Sequence, residues 1–115
     1  MVYKVIICDY RVHMKDAGQF KKIQESVKKH NIMWSFHASQ RMIERQISST
    51  GVIDVLLHGE IIEEYDTNMI VFGWYNNKPI HVICFFKEDE DCVFITSVYN
   101  PDLDHYESDY KTRRK

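Results

Sequence analysis

This chain of 115 residues has little of what announces a specialised class of protein. Four glycines and two prolines exclude a collagen-like or low-complexity polymer. The three cysteines, Cys8, Cys84 and Cys92, are odd in number and have no Cys-x-x-Cys spacing. That argues against a disulfide framework and for reduced thiols in a cytoplasmic protein. No apolar stretch approaches the ~20 residues of a membrane span. No basic region followed by a long apolar run marks a signal peptide at the N-terminus. The formal net charge is only −2, so any contact with RNA must come from a local patch. There is no Gly-x-x-x-x-Gly-Lys-Ser/Thr loop, no Gly-x-Gly-x-x-Gly and no Gly-x-Ser-x-Gly. ATPase, dinucleotide-dependent and serine-hydrolase readings therefore have no support. The six histidines form no His-x-x-x-His pair, so neither a metal site nor a cofactor is expected.

What is present is globular: 44% hydrophobic and 13% aromatic residues, enough for one core and a single domain over residues 1–115. β-Branched residues predict a short strand at 2–8. Phe20, Ile23 and Val27, spaced three and four apart, predict a helix over 17–30, with Lys21, Lys22, Lys28 and Lys29 off its apolar face. Residues 1–31 thus form an N-terminal extension. Ile32-Met33-Trp34 reads as a short extended piece, and Ser35 as the N-cap of a helix that ends by Gln46. Ser48 or Ser49 caps a second, more apolar helix that stops at Gly59, a glycine suited to the left-handed C-cap conformation. Four strands follow, at 60–65, 69–75, 80–87 and 92–99. Asn76-Asn77 is a hairpin turn signal, the run 88–91 is an acidic turn, and Pro101 ends the sheet. The tail 103–115 is polar and basic. The order predicts an α+β fold, with N-terminal helices packed on a four-stranded or slightly larger antiparallel sheet and the other sheet face partly open.

The first helix with chemical content is 36–45. His37, Arg41 and Arg45 recur every four residues, a stripe spanning about 80° of the helix. Guanidinium groups bind phosphate in a bidentate way, so this ridge suits an anionic ligand; the plainer reading is a solvated edge of an amphipathic helix. His81 lies in the apolar third strand. An imidazole there serves either as a general acid or base or as a hydrogen-bonded core residue. Tyr99 closes the fourth strand near His81, with its face left open by the register of the acidic turn. Glu63 and Glu64 are adjacent and face opposite ways, and Glu64 is the candidate base. Arg113 and Arg114 offer further phosphate contacts, although a basic tail is commonly unstructured.

Four segments in order carry a resemblance: His37-Ala38-x-x-Arg41-Met42-x-Glu44-Arg45, then Gly59-Glu60-Ile61-Ile62-Glu63-x-Tyr65, then Lys78-Pro79-Ile80-His81-Val82, then Ile95-Thr96-x-Val98-Tyr99-x-Pro101-Asp102. They resemble an uncharacterised bacterial and archaeal domain-of-unknown-function family (DUF4258-like), with a family-like core over 32–102. That family is typified by a His-Ala-x-x-Arg-Met-x-Glu-Arg helix and an Arg-Pro-Leu-His-Val strand. Lys78 stands where arginine is expected and Tyr106 where tryptophan is frequent. The family looks distantly similar to toxins of the BrnT, RelE and MqsR type. The resemblance implies a RelE-like fold and a toxin–antitoxin-type module with RNA as substrate and an antitoxin-like protein as partner. It also implies RNA cleavage without metal, by attack of the ribose 2′-hydroxyl. On this reading His37, His81, Tyr99 and Glu64 are catalytic, and Arg41, Arg45, Lys78 and Arg113 bind phosphate. Two alternatives stand beside it. One is a non-catalytic module that binds protein or nucleic acid through the same stripe. The other is a structural role, with Arg41 and Glu64 pairing helix to sheet.

Overall fold

The structure, a computed structural model, describes residues 14–115, with side chains from Gly18 onward. The strand expected at 2–8 lies outside the described residues. Three helices come first: α1 (Met14–Lys28), α2 (Phe36–Arg45) and α3 (Ser49–His58), with the short strand β1 (Ile32–Trp34) between α1 and α2. Then come β2 (Glu60–Glu64), β3 (Met69–Tyr75), β4 (Lys78–Lys87) and β5 (Cys92–Tyr99). The fold is α+β, as the sequence predicts. No described helix is long and apolar enough to cross a membrane.

The sheet differs from expectation in one respect. It has five strands in the order β1-β5-β4-β3-β2, and β1 runs parallel to β5, so the sheet is mixed. Three residues are too few to show a strand period. They pair because the chain leaves α1 beside β5, where Asn31 O accepts from the Val93 N–H at 3.2 Å.

All three helices cover one face. Ile23 and Val27 of α1, Ala38 of α2, and Val52, Val55 and Leu56 of α3 share a core with Met69, Val71, Ile80, Val82, Cys84, Val93, Ile95 and Val98. Strand alternation accounts for the β4 members, which are every second residue. Buried there, the Cys84 thiol has its pKa pushed up to about 12, which leaves it a packing group and not a nucleophile.

The caps behave as the sequence suggests, with one correction. The Ser35 Oγ accepts from the Ala38 N–H at 2.9 Å and donates to the Thr96 carbonyl at 2.9 Å, so the cap of α2 is also bolted to β5. Ser48 caps α3 through the Gly51 N–H at 3.0 Å. The left-handed cap belongs to Gln46, at φ 57°, and not to Gly59. Gly59 is extended, at φ −83° and ψ −169°. Glycine is required there by crowding, since a Cβ would overlap the Phe72 carbonyl oxygen and lie 2.5 Å from that of Val55.

Candidate functional site

The far face of the sheet, away from the helices, organises the chemistry. Phe72, His81 and Tyr99 are direct cross-strand partners on β3, β4 and β5, so they form one row. The register that the acidic turn left open thus puts His81 and Tyr99 on one face. The tail closes over this row as an ordered strap. Asp102 Oδ1 accepts from the backbone N–H groups of Asp104 and His105, both at 3.0 Å. Asp109 Oδ1 does the same for Lys111 and Thr112 at 2.9 and 3.0 Å. These bonds hold the Asp109 carboxyl down at about 2. Tyr106, after the first turn, and Arg113, after the second, form an antiparallel bridge.

The strap is clamped to the edge strand by charge, and a bulge in β2 sets the clamp. Glu60 pairs with Phe72 and Ile61 with Val71, but Glu63 and not Ile62 pairs with Ile70. The extra residue inverts the alternation. Glu60 and Glu63 therefore share the far face, where Lys111 reaches Glu60 at 3.1 Å and Arg113 Nε reaches Glu63 at 2.9 Å. Tyr65 also donates to the Glu63 carboxylate. Glu64 pairs in register with Met69, a core residue, so it faces the helix side. Of the two adjacent glutamates, Glu63 is the one beside the strap.

His81 is fully buried. Its Nε2 lies 2.7 Å from the Tyr110 carbonyl oxygen, which only accepts, so Nε2 carries the proton. Its Nδ1 is 3.1 Å from the Tyr99 hydroxyl. Burial lowers the imidazole's pKa below 6.5, more than the Tyr110 hydrogen bond raises it. In the neutral ring Nδ1 therefore accepts, and Tyr99 donates. Tyr99 in turn accepts from the Tyr106 hydroxyl at 3.0 Å. The direction of the whole relay follows from one backbone carbonyl: Tyr106 to Tyr99 to His81 to Tyr110. Burial also raises the pKa of Tyr99 and keeps its proton in place. Edge-to-face contacts of His81 with Phe72, Tyr99 and Tyr106 complete the packing. Both ring nitrogens are occupied, so His81 works here as the anchor of the strap.

Beside this row opens a cavity of about 250 Å³, lined by Arg45, Tyr99, Asn100, Asp102, His105, Tyr106 and Arg113. Arg45 is the last residue of α2, and Arg113 arrives from the strap, its guanidinium 5.3 Å from the centre of the Tyr106 ring. Two cations far apart in sequence thus line one pocket with two phenols. His105 joins them, with Nδ1 2.8 Å from Asp102 Oδ1. That hydrogen bond is the main reason the Asp102 carboxyl lies below its ordinary pKa. The carboxylate fixes the tautomer, since it accepts the Nδ1 proton and leaves the Nε2 lone pair available. Among the described residues Nε2 of His105 has no partner.

The other candidates from the sequence lie elsewhere. His37 is exposed on α2 and does not line the cavity. Arg41 pairs with Glu44 at 3.0 Å on its own helix, not with Glu64. Alternation puts Lys78 with Ile80 and Val82 on the helix-bearing face. So the stripe contributes Arg45, the sheet contributes Tyr99, and the tail contributes Arg113. The residues that sequence reasoning missed are Asp102 and His105 as a pair. Their signal was Asp-x-x-His directly after the strand-ending proline, the spacing of a turn in which an aspartate binds the next backbone N–H groups and a side chain three residues on.

A second cavity, of about 210 Å³, is lined by Lys22, Glu25, Ser26, Lys29, Asn31, Phe86, Glu88 and Asp91. Its charges are mixed, and Lys22 is paired with Glu88 at 3.1 Å. Among the described residues no group of three His, Cys, Asp or Glu side chains is placed to hold a metal ion.

The family model described as Domain of unknown function (DUF4258) matches residues 34–100, more than half of the chain. No curated protein matches the chain, and no solved structure does. The matched segment runs from the end of β1 through β5 and includes Arg45, Tyr99 and Asn100. Asp102, His105, Tyr106 and Arg113, the other four residues of the cavity lining, follow it. On the strength of that match the chain belongs to the family described as Domain of unknown function (DUF4258).

Proposed function

We propose that this protein is a metal-independent endoribonuclease whose site is the cavity between Arg45 and the strap. One observation carries the reading: Arg45 and Arg113 converge on a pocket lined by Tyr99, Tyr106 and an imidazole. In phosphodiester cleavage negative charge builds on the phosphate oxygens, and preorganised guanidinium and hydroxyl donors stabilise it without a metal ion. Arg113 is held in place by Glu63 and the face of Tyr106. Arg45 is exposed and makes the freer contact. The motif resemblance to toxin-like ribonucleases points the same way, and carries with it a toxin–antitoxin-type module and an antitoxin-like protein partner.

A second reading is a non-catalytic nucleic-acid-binding module. Two facts favour it: His37 and Arg41 do not line the cavity, and His81 is saturated. Both readings require that the cavity hold the backbone phosphate. A fully 2′-O-methylated RNA oligonucleotide, which lacks the attacking hydroxyl, isolates this step. Arg45→Ala should weaken its binding about tenfold, equivalent to 1.4 kcal/mol, and reduce the salt slope of the affinity by about 1. Fluorescence anisotropy over a salt series reads both quantities. Unchanged affinity and slope would remove Arg45, and with it the cavity, from RNA binding.

A further inference from the structure

Resting on the ribonuclease reading of the cavity, we infer that His105, oriented by Asp102, is the general base that activates the ribose 2′-hydroxyl. The histidines differ in partners and in place. His30 lies in the turn after α1 and lines neither cavity. His37 lines neither cavity and has no carboxylate partner among the described residues. His58 Nδ1 is 3.2 Å from Asp54 of its own helix, but the residue lines neither cavity. His81 has a partner on each ring nitrogen. His105 alone among the described histidines combines a carboxylate on Nδ1, an unpartnered Nε2 and a place in the pocket with two arginines.

That combination is what general-base chemistry needs. The base must hold a lone pair within hydrogen-bond reach of the proton it removes, and a third group must fix its tautomer. Asp102 is itself fixed, because the same Oδ1 accepts two backbone N–H bonds in the turn that begins the strap. The pair therefore forms as soon as the turn forms, without help from substrate.

Nε2 of His105 takes the 2′-hydroxyl proton, and the 2′ oxygen bonds to the adjacent phosphorus. The bond from phosphorus to the 5′ oxygen breaks, and that oxygen leaves with a proton from water; the hydroxide so formed takes the proton from His105 and restores the base. The products are a 2′,3′-cyclic phosphate and a 5′-hydroxyl end. Arg45 and Arg113 face the phosphate while this happens.

The test uses the full chain, a 5′-labelled RNA oligonucleotide and EDTA. His105→Ala should lower the cleavage rate at least 100-fold, within the range usual for loss of a general base. It should leave binding of 2′-O-methyl RNA and the melting temperature close to wild type. Added imidazole should restore part of the rate to His105→Ala. Asp102→Asn should fall between wild type and His105→Ala, as expected of a positioning residue. If His105→Ala does not fold, His105→Gln keeps a donor toward Asp102 and takes its place. Cleavage by His105→Ala at the wild-type rate would overturn the inference and leave the ribonuclease reading standing. A wild-type chain that binds the RNA and never cuts it would overturn both.

Discussion

Replacing His81 with alanine should cost about 3 kcal/mol of stability, and should do so without removing the side chains proposed to act in the cavity. The imidazole is fully buried and holds the strap by two hydrogen bonds, to Tyr99 and to the Tyr110 carbonyl. Alanine leaves a cavity beneath Tyr106 and strips a buried hydroxyl and a carbonyl of their partners. Stability in wild type should also depend on pH through this residue. Burial holds the folded imidazole's pKa below its ordinary 6.5. The unfolded chain therefore binds the extra proton in the window between the two values. His81's contribution is full above pH 6.5 and is lost as the pH falls through the folded value. Urea melts at pH 7.5 and at pH 5 should show wild type weakening on acidification, and His81→Ala weak at both with a smaller difference. A His81→Ala protein as stable as wild type, with cleavage abolished, would make His81 catalytic and not an anchor.

Gly59→Ala should be at least as damaging, at about 3 kcal/mol and about 10 °C in melting temperature. The new methyl group has nowhere to go. It meets the carbonyl oxygens of Phe72 and Val55, both backbone atoms, so no side-chain rotation relieves the clash. The link from α3 to β2 would have to move away from β3, and with it Glu60 and Glu63, to which Lys111 and Arg113 are clamped. The strap should loosen as the helix end shifts. Gly18 is the control. It sits in α1 with nothing within 4 Å of an added Cβ, so Gly18→Ala should hold or raise stability by up to about 1 kcal/mol. Differential scanning calorimetry of the two variants decides between crowding and a general intolerance of substitution. A Gly59→Ala protein that melts with wild type would contradict the close approach of α3 to β3.

These two positions show where the sequence was legible. The period of apolar residues and the cap signals at Ser35 and Ser48 place α2 and α3, and Asn76-Asn77 takes positive φ at 51° and 64° as the hairpin requires. The bulges were not legible. Ile62 and Thr96 look like ordinary strand residues, yet each is the extra residue at which a register shifts. The first shift decides that Glu63 and not Glu64 meets Arg113. Gly59 was read correctly as a stop but for the wrong cause, because a sequence shows the absence of a Cβ and not the carbonyl it would strike. The strap was the largest omission. Residues 103–115 have no apolar period, since their order comes from aspartate side chains binding backbone N–H groups and from salt bridges to β2. Such bonds depend on geometry that no spacing of apolar residues records. His105 was overlooked for that reason, while His37, which lies in the motif-bearing helix, does not line the cavity.

The most direct test of the account is to incubate the full chain with single-stranded RNA in EDTA and map the ends that form. The account predicts cleavage, with 2′,3′-cyclic phosphate and 5′-hydroxyl ends. RNA that remains intact at protein concentrations where the 2′-O-methyl oligonucleotide is bound would contradict it, and would leave the cavity as a binding site for nucleic acid.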